Sequence, residues 1–326
     1  MTNCTWNATN CNNYYRDAAN LWLMFFMYNL PLIILGVLTI CANGMILIVY
    51  IRTRLLKTAT NFFLVAIALS DFLAGLIGIP TYIACNATYG YVTHLCESHA
   101  TIFVFTSLCT ISFIAVITAD RYIAILYSLR YNVLMTKQRA KIIILVAMVT
   151  ALILSVLPYF WVRSGKLHNP TADQRRADII YTICILIPIV AAFPLMVYAY
   201  FRIFLEIRRQ HKLTQEHERL RGDESSTTER EIRTVCVFAV MMIAYVFCWT
   251  PLAVIRVNLF ISKSFGVLSP IPRYILQSLP FVTSFINPCC YGLGKKDFRH
   301  ALSQSCKCGR VSSNQRRHDP TKITVC

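Results

Sequence analysis

Asp71 sits inside AIALSDFLAG and is the sole Asp, Glu, Lys or Arg between residues 58 and 96. A carboxylate in so apolar a run is expensive to keep, and where it persists it marks ion handling, proton movement or a polar network. Asn43 in CANGMILIVY, Thr110 and Ser112 between 98 and 119, and Ser284 and Asn287 in SFINPCCYG offer amide and hydroxyl oxygens at comparable depths of other apolar runs. Asp71, Asn43, Thr110, Ser284 and Asn287 together form an oxygen-rich set suited to a small hard cation. Sodium is expected, as an allosteric ion rather than a cofactor. No Cys and His cluster has the spacing that zinc requires. The plain structural alternative is a protonated, inert Asp71 bonded between helices.

A second group of charges ends the uncharged stretch 98–119. In TADRYIAILYSLRYN, Asp120 and Arg121 are adjacent and Tyr122 follows at once. An isolated Arg at such a boundary anchors a helix by reaching for lipid headgroups. An adjacent acid suggests something more, and so does Glu231, twenty residues before Pro251 in FCWTPL. A Glu and an Arg facing each other across two helix ends can form an ion pair that opens when one helix swings away. Pro251 supplies the kink for that swing, and Trp249 is a bulky group just before it.

These residues need rigid, membrane-depth elements to hold them. The chain has 326 residues, 56% hydrophobic and 14% charged, against about 25% charged in soluble domains. The deficit falls in seven runs, 18–51, 58–96, 98–119, 142–162, 179–201, 234–255 and 274–294, of which only the second contains a formal charge. About 20 helical residues cross the hydrocarbon core, and backbone in lipid must satisfy its own hydrogen bonds. The fold class is therefore all-α, a seven-transmembrane helix bundle. Arg52, Arg54 and Lys57 in the first connection, against Arg16 alone before the first run, place the amino terminus outside and the carboxyl terminus in the cytoplasm. The net charge of +17 is then mostly topology, and no nucleic-acid partner is expected. Sequons at Asn3, Asn7 and Asn86 fall on the predicted outer side, as glycosylation requires. The polar first twenty residues and the long run after them do not resemble a cleaved leader. The expected organisation is a glycosylated extracellular segment over 1–20, a seven-helix domain over 21–294, an amphipathic juxtamembrane helix over 295–305 and a cytoplasmic tail over 306–326.

Taken in order, Asn43, LSDFLAG, DRY, CWTP, NPCCY and GKKDFRHAL resemble the rhodopsin-like, class A, G-protein-coupled receptors over roughly residues 20–305. The resemblance implies a role for each. Arg121 would be the switch facing a heterotrimeric G protein, restrained by Asp120 and Glu231, with Tyr200 and with Asn287, Pro288 and Tyr291 of NPxxY as moving parts. Trp249 would be the toggle beneath the ligand, with Pro251, Ile111 and Tyr245 relaying its movement. Arrestin and a receptor kinase follow as further partners, and Cys306 and Cys308, after the amphipathic helix, as palmitoylation sites.

DRYIAI with LRYNVLMTKQRAK, and YFRIFLEIRRQHK, are similar to the inner loops of adenosine receptors; melanocortin, cannabinoid and lysophospholipid receptors share other departures. The adenosine pocket is not reproduced. Arg256 stands where that group has Asn, and Pro280-Phe281 where it has Ser-His. Phe103 replaces the Asp of amine receptors and Phe281 the Lys of opsins. The pocket residues Phe103, Arg256 and Phe281 suit an extracellular small-molecule or lipid ligand, and the basic outer loops invite an anionic one. Cys96 stands where the family's disulfide begins, yet no Cys occurs between 109 and 184, so Cys85, Cys4 and Cys11 are all open as partners. Met148 in the fourth run and Ala192 in the fifth also depart from the family pattern.

The expected function is a plasma-membrane receptor that activates a G protein by outward movement of its sixth helix, and not an enzyme. A channel or light-driven pump would carry several intramembrane charges or a retinal Lys. A hydrolase would carry a catalytic cluster, which His99 alone does not make. A receptor-like scaffold that binds ligand without signalling is the alternative.

Overall fold

A computed structural model describes residues 8–53, 56–88, 92–162, 172–221, 226–262, 270–295 and 297–303. The described residues are helical, without a strand. Seven long helices follow one another: α1 (Ala8–Arg52), α2 (Ala59–Ala87), α3 (Thr93–Leu126), α4 (Lys137–Val156), α5 (Ala172–Arg221), α6 (Ser226–Ser262) and α7 (Pro270–Gly294). Six of them are long and apolar enough to cross a bilayer. The seventh, α7, is richer in amide, hydroxyl and proline residues, but is 25 residues long and carries no formal charge from 274 to 294.

Local chemistry sets several boundaries. Thr58 and Thr136 cap α2 and α4, their hydroxyls accepting from the backbone N–H of Asn61 and Arg139. α2 contains one π-helical turn, Ala74–Gly78, beginning three residues after Asp71. A π turn inserts an extra residue and re-aims what precedes it. Here it coincides with a close approach to α1. A Cβ on Gly75 would stand 3.1 Å from Ile40 Cγ1 and 3.3 Å from the Gly36 carbonyl, so any larger residue there would push α1 and α2 apart by a few tenths of an ångström.

α3 is the central strut, packing against α2, α4, α5 and α6, while α1 closes the ring against α2 and α7. The principal core runs through Phe63, Ile67, Ile114, Phe238, Tyr245 and Tyr291. Opposite faces leave Ile33, Val37, Leu145, Val146 and Phe247 exposed, which is the surface a bilayer covers. Residues 297–303 form the short helix expected after α7, with Phe298 and Ala301 buried and Asp297, Arg299 and His300 exposed.

The disulfide choice left open by the sequence falls on Cys85. Cys85 at the end of α2 and Cys96 in the first turns of α3 are bonded, with Cα atoms 4.9 Å apart. The side chains of Cys4 and Cys11 lie outside the described residues. The bridge closes a short loop, worth about 2–3 kcal/mol. Cys85→Ser, Cys96→Ser and the double variant should therefore lower the melting temperature by similar amounts. A double variant markedly worse than either single one would show that the two thiols act apart.

Candidate functional site

The charged cluster is built from three elements. Asp120 and Arg121 stand six and five residues before the end of α3, Thr60 lies in the first turn of α2, and Tyr131 opens a short helix, Tyr131–Leu134, in the loop between α3 and α4. Asp120 is fully buried. Its Oδ2 accepts from Arg121 Nη2 at 2.6 Å, Arg121 Nε at 3.1 Å and the Thr60 hydroxyl at 2.7 Å. Its Oδ1 accepts from the Tyr131 phenol at 2.9 Å. Arg121 Nη2 also donates to Thr60 Oγ1 at 2.5 Å. Burial, and then the Asp120 carboxylate, hold the Tyr131 phenol above its usual range, so it stays a donor. An acid, a base, a hydroxyl and a phenol thus close one network at the inner mouth of the bundle.

Glu231 belongs to α6, with its side chain outside the described residues. Tyr122 packs beside Ile125, Ile203 and Val235, and its ring lies 6.4 Å from that of Tyr127. The Thr118 hydroxyl donates to the Tyr200 phenol oxygen at 3.4 Å. Tyr291 is fully buried, its phenol 3.5 Å from Asn43 Oδ1 and its ring edge-on to Phe298. Thr60 and Tyr131 escape sequence reasoning, because neither residue type advertises a partner sixty or eleven positions away.

Two further residues at this face were also missed. Lys295, just past α7, is buried; its ammonium donates to Asn61 Oδ1 and stands 5.9 Å from the Phe298 ring centre. Burial pushes the Lys295 ammonium down to about 8, the Arg121 charge acting in the same direction. Leu129, in the loop between α3 and α4, is 98% exposed. Its signal in the sequence is a lone Leu between Ser128 and Arg130.

At mid-depth the structure brings together the residues proposed to hold a cation. Asp71 is buried and its Oδ2 accepts from Asn287 Nδ2 at 2.9 Å. The Ser284 hydroxyl lies near Asp71 as well. Asn43 Nδ2 donates to the Ser284 and Thr39 carbonyls. The Thr110 hydroxyl donates to the Thr106 carbonyl at 2.9 Å, which leaves its oxygen lone pairs available. Asp71, Ser284 and Thr110 therefore fit a hard cation as oxygen donors, whereas Asn43 and Asn287 present amide N–H groups to other oxygens. Thr110 and Ser284 also line a cavity of about 10 Å³, room for about one water. No group of three His, Cys, Asp or Glu side chains comes together among the described residues.

The roof of this cavity is aromatic. Trp249 lies between two rings, Tyr245 stacked on it at 5.2 Å and Phe103 at 5.4 Å. Its indole N–H is buried without a hydrogen-bond partner among the described residues, beside the cavity. Phe281 stands edge-on to Phe103 at 5.8 Å. Tyr82, His99 and Tyr274 extend the cluster outward, with Tyr82 and Tyr274 stacked at 5.1 Å. The Tyr274 phenol donates to Asn29 Oδ1 at 2.6 Å. The spacings that carry this cluster, His99 to Phe103 and Tyr274 to Phe281, are four and seven residues, one face of a helix. Ile111 is buried in the core near this stack, and the Tyr245 phenol is 3.5 Å from the Ser107 carbonyl. Pro251 lies within α6. Arg256, seven residues past Trp249 on the same helix, has its side chain outside the described residues.

Seven long helices around a central third, a buried acid and its arginine at one end and an aromatic cluster toward the other are the arrangement of a membrane receptor. Residues 42–291 match the model of the 7 transmembrane receptor (rhodopsin family), and the chain belongs to that family. It is a G-protein-coupled receptor, a multi-pass plasma-membrane protein and not an enzyme. Among curated relatives, the adenosine receptor A2b of Gallus gallus is 25% identical over 298 residues, covering 83% of this chain and 85% of that protein. The adenosine receptor A2a of Homo sapiens is 27% identical over 289 residues, 82% of this chain and 69% of that protein. The octopamine receptor beta-2R of Chilo suppressalis is 23% identical over 350 residues, 96% and 86%.

Proposed function

We propose that this receptor binds an extracellular small-molecule or lipid ligand above Trp249 and promotes nucleotide exchange on a heterotrimeric G protein when the inner half of α6 moves outward. Its amino terminus faces outside and its carboxyl terminus the cytoplasm. The observation that carries this reading is the closed cluster of Asp120, Arg121, Thr60 and Tyr131. A partly exposed guanidinium at the bundle's inner mouth is held by one acid and one hydroxyl, both of which a partner can replace.

The ligand differs in class from those in the relatives' names. Amine recognition needs a carboxylate facing the pocket, and Phe103 occupies that place; Pro280-Phe281 and Arg256 replace the adenosine-receptor residues. An apolar body over Phe103 and Phe281, with an anionic group directed to Arg256, fits these substitutions. Sodium at Asp71, glycans at Asn3, Asn7 and Asn86, and palmitate at Cys306 and Cys308 complete the proposal. Asn86 ends α2 with its amide donating to the Tyr82 carbonyl at 2.7 Å; the other four residues lie outside the described ones.

The test uses full-length receptor in lipid nanodiscs with each class of G protein, measuring GTP-analogue uptake alone and with anionic lipids, nucleosides and amines. Faster uptake with one G-protein class, enhanced by an anionic lipid, is expected. No acceleration with any class would favour a ligand-binding scaffold, and enhancement by amines alone would remove the anionic ligand.

A further inference from the structure

Outward movement of α6 requires a resting position to leave, and at one point that position is set by backbone. Gly294, the last residue of α7, lies against Val237 of α6. A Cβ built on Gly294 would overlap Val237 Cγ2 and stand 3.5 Å from both Val237 Cβ and Cγ1. Ordinary carbon contacts begin near 3.5 Å, so the two helices rest together only because residue 294 has no side chain.

The neighbours decide which partner yields. Val237 is β-branched, and in a helix such a side chain keeps largely to one χ1 well, so it acts as a stiff projection. The α7 side is anchored. Tyr291, Phe298 and Ala301 are buried in the core, and Lys295, next to Gly294, is tied to Asn61. On α6, by contrast, Val240, Ile243 and Phe247 lie on an exposed apolar face with lipid beyond it. Pro251, fourteen residues further along α6, interrupts the helix's own hydrogen bonds and offers a pivot. Volume added at Gly294 therefore displaces the inner half of α6 rather than the end of α7.

We propose that Gly294 and Val237 form the seat that holds α6 against α7 at rest, with Gly294 a positioning residue for the coupling switch. Filling the seat drives α6 outward and raises signalling without ligand. This inference rests on the proposed link between α6 movement and nucleotide exchange, and the experiment separates the two. Spin labels carried by unnatural residues at positions 137 and 233, at the inner ends of α4 and α6, report the spacing of these helices in full-length receptor.

Gly294→Ala should shift that spacing outward by a few Å, and raise basal exchange about fivefold. Val237→Phe, which adds volume from the other side, should do the same and serves if Gly294→Ala folds poorly. Val237→Ala combined with Gly294→Ala should return both readings toward wild type. Unchanged spacing in both wedge variants, as rotation of Val237 alone would give, overturns the seat, as does failure of the double variant to reverse the shift. An outward shift without faster exchange keeps the seat and overturns the link to the G protein.

Discussion

Receptor with Arg121 replaced by alanine should fold, reach the membrane and fail to promote nucleotide exchange, a loss of roughly 100-fold or more. The estimate follows from the interactions at stake. Truncating one member of a hydrogen-bonded charge pair at an interface costs about 2–5 kcal/mol, and each 1.4 kcal/mol is a factor of about ten. Arg121 makes its contacts through both Nε and Nη2, so Lys, which has no planar fork, should recover little of the activity. Folding survives because Asp120 keeps the Thr60 and Tyr131 donors.

Asp120→Asn should move activity the other way. An amide carries no charge to hold the guanidinium, and whichever way it turns its N–H₂ group takes the place of one acceptor oxygen. Arg121 is freed, and basal exchange should rise. Tyr131→Phe should rise less, since it removes one neutral-donor bond to Oδ1. The measurement is basal GTP-analogue uptake across the four variants at matched receptor density. If Asp120→Asn and Arg121→Ala depressed exchange equally, the pair would be a structural unit and not a restraint.

What could be read without coordinates was whatever the bilayer itself enforces. Uncharged length marked six of the helices, and α7, despite its prolines and amides, stood out by its lack of charge between 274 and 294. Asp71 was legible because a carboxylate at that depth must be accommodated, and Asn287 does meet it across 216 positions. Residues whose importance lies in a partner were not legible. Thr60 and Tyr131 are ordinary until Asp120 is placed between them, and the glycine at 294 reads as a helix end until Val237 is seen against it. Lys295 is one of two adjacent lysines in GKKDF, and only the proximity of Asn61 and Phe298 shows that it is buried. The Cys96 partner was undetermined because three cysteines were available and only the approach of α2 to α3 selects Cys85. The aromatic cluster hid for a different reason. Phe and Tyr on helix faces are common in any core, and only their convergence on Trp249 distinguishes these.

The cation proposal yields the second large effect. Wild-type receptor should melt at higher temperature in sodium chloride than in choline chloride of equal ionic strength, because a ligand bound only by the folded state stabilises it. At ten times its dissociation constant the gain is about 1.4 kcal/mol. Asp71→Asn should abolish the difference while leaving the fold intact. The amide is close in shape to the carboxylate, and its oxygen still accepts from Asn287, which donates at 2.9 Å in the wild type. Asp71→Leu is the contrasting change. It leaves the Asn287 amide buried without its acceptor, a cost of about 1–3 kcal/mol, and should lower the melting temperature in both salts. Ser284→Ala and Thr110→Val should each weaken the sodium response without removing it, because each takes away one oxygen from a set that keeps its charge. Asn43→Ala should instead loosen α1 from α7, since its amide bonds the Ser284 carbonyl, and leave the relative sodium effect in place. A sodium response that persists in Asp71→Asn would mean that the cation binds elsewhere, and Asp71 would then be explained by its contacts with Asn287 and Ser284 alone.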